Sequence, residues 1–365
     1  MRRSRQNRIF LLLLTLLIFY IAWYVFNAIR RPSREPGEEQ AYLHAVSGAL
    51  PIIHNPKLCS KNKIDLILVI ISSGTHFLER QAVRETWGSM THAFNIHSQR
   101  LFVVGYQESS NLYSDLLNEA EHEKDILYLT QDDNSMTVKE LHAYRWLDKY
   151  CPNATFTFKT EDDLFVNSIL LHELVSELNR QPEVSQNRSL YNISLEPLFQ
   201  ARSNSGVHTF LFGWAFEPGK PQRNTSMGQY YVSYKEYSKE LYPRYCSGFG
   251  YFMDSETRRL LVEQGFTERR PFRFSDIFIT GILPEQLNFV CDVLPFTYTQ
   301  GTTEQCINNI KRNNLKDIRV STPPLLVCST GRHIAQNTFS DYYRIWTVLK
   351  YVYGDRMHGN KQNKE

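Results

Sequence analysis

The sequence has no G-x-x-x-x-G-K-[ST] loop, no G-x-G-x-x-G after an apolar run, no H-E-x-x-H and no G-x-S-x-G. The phosphate cradles and catalytic elbows used by P-loop kinases, dinucleotide-dependent dehydrogenases, zinc proteases and α/β-hydrolases are therefore missing. Its six cysteines include no C-x-x-C pair and no cysteine–histidine cluster at zinc-ligand spacing, which leaves no basis for a structural zinc. There is no internal repeat. Acidic residues are absent from the first 34 positions, which hold seven arginines. The chain as a whole carries 41 Lys+Arg against 38 Asp+Glu, so the remainder has 34 basic residues against the same 38 acidic ones. A mildly acidic body lacks the basic face that binds nucleic acid, and no nucleic-acid partner is expected. With 42% hydrophobic residues over 365 positions, wholesale disorder is excluded as well.

The basic terminus frames an uncharged run. Residues 9–29 (IFLLLLTLLIFYIAWYVFNAI) are long enough as a helix to cross a hydrocarbon layer of ~30 Å. Tyr20, Trp23 and Tyr24 cluster toward its far end, where amphipathic rings favour the interface. Arg2, Arg3, Arg5 and Arg8 precede it and favour a cytoplasmic amino terminus, while Arg30, Arg31 and Arg34 on the far side oppose that orientation. A cleaved signal peptide is the alternative, but signal cores are typically ~7–15 residues and no A-x-A-like site follows. The reading is a cytoplasmic tail over 1–8, a signal anchor over 9–29, a polar stem with four prolines over 30–60, and a lumenal body over 61–365. Four sequons at Asn153, Asn187, Asn192 and Asn224, and six cysteines, all lie beyond the anchor and suit an oxidising, glycosylating lumen. Six cysteines allow 15 connectivities, and spacing alone does not choose among them.

The body alternates strand and helix patterns. Residues 64–71 (IDLILVII) form an apolar run closed by Ser72-Ser73-Gly74, as expected of a strand buried on both faces. Further strands are predicted over 100–104, 125–129 and 156–159, and helices over 76–87, 112–121, 136–150 and 168–179. Residues 181–205 are polar and predicted to be an exposed loop. Later come a strand over 210–216, helices over 255–264 and 276–286, and a strand over 289–298. Such alternation argues for an α/β fold with a mostly parallel sheet covered by helices.

Three consecutive acids, Glu161-Asp162-Asp163, sit where a buried parallel strand is predicted to end. Ligands of open α/β sheets bind outside the carboxyl ends of the strands. Adjacent carboxylates repel, so the triplet calls for a compensating cation, and oxygen donors suit Mg2+, Mn2+ or Ca2+. A divalent ion there could neutralise a nucleotide's phosphates and improve a nucleoside diphosphate as leaving group. A solvated acidic turn is the plain alternative.

Five stretches, in order, resemble the β1,3-galactosyl- and N-acetylglucosaminyltransferases of glycosyltransferase family 31. Arg80-Gln-Ala-Val-Arg84-Glu-Thr-Trp87 resembles R-x-x-I-R-x-T-W, and residues 132–139 loosely resemble D-x-Y-x-N-L-T-x-K. Residues 161–167 resemble D-D-D-V-F-V-N, residues 242–251 resemble Y-P-x-Y-C-S-G-x-G-Y, and residues 275–281 resemble E-D-V-Y-x-G. The resemblance spans about 63–346 and implies a GT-A, Rossmann-like fold, a UDP-sugar donor, a glycan acceptor, Mn2+ and a Golgi membrane address. It implies that Asp163 binds the metal, with His333 as a further ligand, and that Glu161 and Asp162 hold ribose or metal-bound water. Arg80 and Arg84 would lie near the nucleotide; a salt bridge on the first helix is the alternative for Arg84, and core packing is the reading for Trp87. Tyr245 through Tyr251 would line the sugar site, with Gly248 and Gly250 allowing close backbone approach.

Inverting transfer is a single displacement, so one carboxylate takes the acceptor hydroxyl's proton as its oxygen attacks C1 opposite UDP. The resemblance gives that role to Asp276, for which helix capping is the alternative. It also implies that Cys151 pairs with Cys246, both matching motif cysteines. The sequence departs from the motifs in having Glu at 161, Ser275 where an acid usually precedes the catalytic Asp, and Ile282 where a cysteine is often found. The expected activity is β1,3 transfer of a hexose, galactose foremost, with UDP-N-acetylglucosamine transfer as the near alternative. A catalytically silent, membrane-tethered glycan-binding relative is the alternative of a different class.

Overall fold

The computed structural model describes residues 63–107, 110–180, 189–191, 193–203, 209–268, 270–312, 323–330 and 339–358, together with Asn55, Leu58 and Cys59. The expected tail, membrane span and most of the stem lie outside these residues, as do Asn187, Asn192 and His333. Among the described residues no helix is long and apolar enough to cross a membrane.

From the amino side, β1 (Leu66–Ile71) leads to α1 (Phe77–Glu85), and the short β2 (His92–Ala93) turns back into β3 (Ile96–Tyr106). The alternation continues through α2 (Ser110–Glu123), β4 (Ile126–Asp132), α3 (Met136–Tyr150) and β5 (Phe156–Glu161). Next come β6 (Leu164–Val166), α4 (Ser168–Asn179), the hairpin β7 (Ser189–Leu190) and β8 (Ile193–Ser194), and α5 (Glu196–Ser203). The predicted loop over 181–205 thus holds ordered elements, whose apolar residues are too sparse to show a period; Leu195 and Leu198 nonetheless reach the core. The remainder runs β9 (Leu211–Phe216), β10 (Tyr245–Asp254), α6 (Ser255–Thr267), α7 (residues 275–286), β11 (Asp292–Val293), β12 (Thr297–Gln300), α8 (Thr303–Arg312), β13 (Leu325–Ser329) and α9 (Phe339–His358). Helix α7 is continuous but contains a π turn over Phe278–Ile282.

The main sheet has eight strands, ordered β11-β9-β10-β5-β1-β3-β2, with β4 also on β3. Pairs β1–β3, β1–β5, β3–β4 and β9–β11 are parallel, while β10 runs antiparallel to β5 and β9. A second sheet joins β12, β13 and β6. The predicted strand over 289–298 is split, with β11 on the main sheet and β12 on the small one. Pro295 separates the two pieces and cannot donate to a ladder.

Strand β1 explains the layering. Leu66, Leu68 and Ile70 face one core, shared with α1, α4 and α9, while Ile67, Val69 and Ile71 face another, shared with α3, α6 and α7. A strand with helices on both faces reads as an unbroken apolar run, and that is what residues 66–71 are. Three disulfides close the body: Cys59–Cys151, Cys246–Cys291 and Cys306–Cys328. The expected Cys151–Cys246 pair does not form. Cys151 caps the far end of α3, where Cys59 meets it, and Cys246 on β10 faces the chain entering β11.

Candidate active site

The acidic triplet is the crossing between the two sheets. Glu161 ends β5 in parallel register with Ile71, the Asp162 N–H donates to the Ile71 carbonyl (3.1 Å), and Asp163 leads into β6. The position at the carboxyl end of a buried parallel strand is therefore as predicted. The relief of repulsion differs from the sequence-based argument. Lys159 Nζ donates to Glu161 Oε1 at 3.1 Å, and His76 Nδ1 at the mouth of α1 hydrogen-bonds Asp162 Oδ2 at 3.0 Å. Two of the three carboxylates thus have donors from the protein itself, so the triplet does not by itself require a metal cation.

A bulge in β10 forms the facing wall. Cys246 pairs with Ala215 and Tyr251 with Gly213, so residues 247–250 face a single residue of β9 and arch out of the ladder. The carbonyls released by the arch are taken up by side chains. Gly248 O accepts from Lys159 Nζ (3.0 Å), Phe249 O from the Thr160 hydroxyl (2.9 Å) and Gly250 O from the Tyr298 hydroxyl (3.0 Å). Gly248 and Gly250 are glycines because of proximity. A methyl on Gly250 would lie 2.6 Å from Phe158 Cζ; one on Gly248 would lie 3.3 Å from Glu161 Oε1, 3.4 Å from Lys159 Nζ and 3.8 Å from Asp276 Cβ.

The structure thus brings Gly248, Glu161 and Asp276 around one point. Asp276 is half-buried in the first turn of α7, whose N-cap residue is Phe274, and its side chain takes up one first-turn N–H without being the N-cap. Its Oδ1 accepts the Ile277 N–H (2.8 Å) and its Oδ2 the Gly248 N–H (3.4 Å). Thr280, one turn on, accepts the Cys246 N–H (2.8 Å) and donates to the Asp276 carbonyl (2.5 Å), tying α7 to β10. Burial raises the Asp276 carboxyl above the ordinary aspartate range, and the Ile277 N–H and Lys159 partly offset this. Tyr245, at the start of the arch, is pushed up to about 12 by burial and by Asp276.

Arg80 and Arg84 do not join this cluster directly. Arg80 is fully buried; it ion-pairs with Glu119 (2.7 Å) and donates to Ser72 Oγ (2.9 Å) and the Ser73 carbonyl (2.5 Å). Arg84 joins Asp125 and Glu119. Arg80 thereby holds the loop after β1, and any effect on a bound nucleotide runs through that loop. Trp87 is core, 0% exposed. The same loop is held from its other side by Asp133, which accepts from Ser73 Oγ (2.6 Å), Gln107 Nε2 (2.7 Å) and Lys139 Nζ (2.9 Å). Burial would raise the Asp133 carboxyl, but Lys139 and Ser73 hold it below its usual value. Sequons Asn153 and Asn224 are exposed.

Sequence reasoning missed Lys159, Glu140 and His76. Lys159 and Glu140 are each 0% exposed, and a lysine within a strand predicted to be buried is the signal that marks the first. Glu140 on α3 sits one turn before Tyr144 on a buried face. No comparable signal marked His76. Among the described residues no group of three or more His, Cys, Asp or Glu is arranged to hold a metal.

The carboxylates and glycines converge at the carboxyl end of the parallel strand β5, where open α/β sheets bind their ligands. The family model described as galactosyltransferase matches residues 78–291, and the chain belongs to that family. It is 26% identical over 281 residues to human UDP-GalNAc:beta-1,3-N-acetylgalactosaminyltransferase 1, covering 74% of this chain and 75% of the relative. Human beta-1,3-galactosyltransferase 2 is 27% identical over 232 residues, covering 62% of this chain and 49% of the relative. The galactosyltransferase LgtC, solved with donor and acceptor sugar analogs, superposes at a TM-score of 0.36 and 8% identity over 78% of this chain and 95% of its own. The chain is a glycosyltransferase of the β1,3-galactosyl- and N-acetylgalactosaminyltransferase group.

Proposed function

We propose that the protein is an inverting, GT-A-type β1,3-glycosyltransferase that moves a hexose, galactose foremost, from a UDP-sugar to the 3-hydroxyl of an acceptor glycan. The carrying observation is Asp276: its carboxylate is fixed by two backbone N–H groups, raised by burial toward a working base, and set against the glycine arch beside Glu161. In this reading Asp276 removes the acceptor proton as the new bond forms. The Gly248–Gly250 arch and Tyr245 shape the sugar pocket, and Glu161 and Asp162, held by Lys159 and His76, orient the ribose. Arg80 and Arg84 keep the loop after β1 in place for the nucleotide.

Mn2+ belongs to the proposal. Asp163, whose carboxylate is a donor type that suits the ion, and His333 would hold it, and when bound it would neutralise diphosphate charge. The three disulfides and the exposed sequons Asn153 and Asn224 support a lumenal body, anchored by residues 9–29 as a single-pass type II protein of the Golgi membrane. UDP-N-acetylgalactosamine, after which one relative is named, is a third donor to compare with UDP-galactose and UDP-N-acetylglucosamine.

The test is UDP release by the detergent-solubilised full chain with each of the three donors, over a panel of β-linked hexoside and hexosaminide acceptors, in Mn2+ and in EDTA. The expected result is release with one donor that needs both the ion and an acceptor. Asp276→Asn should lower it by at least about 100-fold, the range for loss of a positioned base, and Asp163→Ala should remove its response to Mn2+. Donor binding without turnover across the panel would instead favour the silent glycan-binding relative.

A further inference from the structure

The buried charges behind Asp276 are not explained by the roles assigned so far. Glu140 is 0% exposed on α3, and Lys159 is 0% exposed on β5. Glu140 Oε1 accepts from the Tyr144 hydroxyl (2.7 Å), which itself pairs with the Tyr251 hydroxyl (2.8 Å). Glu140 Oε2 accepts no hydrogen bond among the described residues and faces Lys159 Nζ at 3.9 Å. The ammonium spends two of its three donors on Glu161 Oε1 and the Gly248 carbonyl. It also lies over the Tyr251 ring, 5.8 Å from its centre.

Such an arrangement is an expensive way to fill a core. Well-packed apolar groups in place of a buried ion pair are often neutral or stabilising, so the charges call for a role beyond packing. Their placement suggests it. Lys159 touches two segments at once, the acidic crossing through Glu161 and the glycine arch through Gly248, and Asp276 is held to that same arch by the Gly248 N–H. Ser275, buried and next to Asp276, helps offset the rise that burial causes in the Glu140 carboxyl.

We propose that Glu140 is a positioning residue for the transfer reaction: from α3 its carboxylate holds Lys159 between Glu161 and the Gly248 carbonyl, behind Asp276. The inference rests on the reading of Asp276 as the base. It predicts that the acid can be moved but not lost. Glu140→Gln keeps the shape and removes the charge; Glu140→Ser with Ser275→Glu exchanges the two residues and returns the charge from the other side.

The test measures kcat, donor KM and thermal midpoint of the full chain for Glu140→Gln, Glu140→Ser, the Glu140→Ser/Ser275→Glu exchange and Asp276→Asn, with UDP-galactose, UDP-N-acetylglucosamine and UDP-N-acetylgalactosamine. In folded Glu140→Gln and Glu140→Ser, kcat should fall about 10–100-fold, the range for loss of an outer partner of a reacting group, with donor KM little changed. The exchange should recover most of that loss. A folded exchange variant as slow as Glu140→Ser, or wild-type kcat in Glu140→Gln, would overturn the role given to Glu140 while leaving Asp276 its own if Asp276→Asn is inactive. Wild-type kcat in Asp276→Asn would overturn the base assignment and this inference with it.

Discussion

A lysine within a buried strand is costly, and Lys159 stays charged because carboxylates surround it. Burial would lower its pKa, yet Glu140, Glu161 and Asp276 hold it above the ordinary lysine value. The same charge acts on Asp276, which also faces Glu161, Tyr245 and Tyr242 and accepts the N–H groups of Ile277 and Gly248. A positive neighbour favours the ionised carboxylate, so removing it must raise a pKa that burial has already raised. In the proposed role the working base is the ionised form, and activity is lost as pH falls through that pKa. Lys159→Gln is therefore expected to move the acid limb of the kcat–pH profile to higher pH by about one unit, equivalent to ~1.4 kcal/mol of charge interaction. An unmoved or acid-shifted limb would show that Lys159 does not act on the base.

Elements differ in how much of their geometry is local. Helix α3 reads from its own residues, and its predicted span, 136–150, is the observed one. Strand β1 and helix α4 are likewise legible, because apolar spacing carries them. Strand β10 is not: its arch over 247–250 is stabilised by Lys159, Thr160 and Tyr298, none of them near in sequence, so its motif shows glycines without showing a strand. The loop after β1 depends on a distant partner in the same way. Arg80 joins it to Glu119 on α2 with a 0% exposed guanidinium. Arg80→Met would leave Ser72 and the Ser73 and Gly74 carbonyls without their donor and Glu119 with Arg84 alone. A loss of about 3 kcal/mol in unfolding free energy is expected by urea denaturation, as for breaking a buried pair. A change below about 0.5 kcal/mol would place Arg80 outside the framework.

For the molecule as a whole, the disulfides are the feature most directly open to measurement. Non-reducing peptide mapping should recover Cys59–Cys151, Cys246–Cys291 and Cys306–Cys328. A Cys151–Cys246 peptide in their place would contradict the packing of α3 against the amino-terminal segment. Cys59→Ser, which opens the crosslink with a sequence separation of 92, should cost about 2–5 kcal/mol. Composition, apolar spacing and five ordered motifs by themselves determined the α/β class, the strand carrying the acidic triplet, the family and the identity of Asp276 as a candidate, because these depend on residues close together in the chain. Only the tertiary structure decided which cysteines meet, that Lys159 and His76 contact the triplet, that Arg80 and Arg84 are tied to Glu119 and Asp125, and that Glu140 faces Lys159. Each of these is a contact between segments far apart in sequence, fixed by how the helices on both faces of one sheet bury their apolar sides.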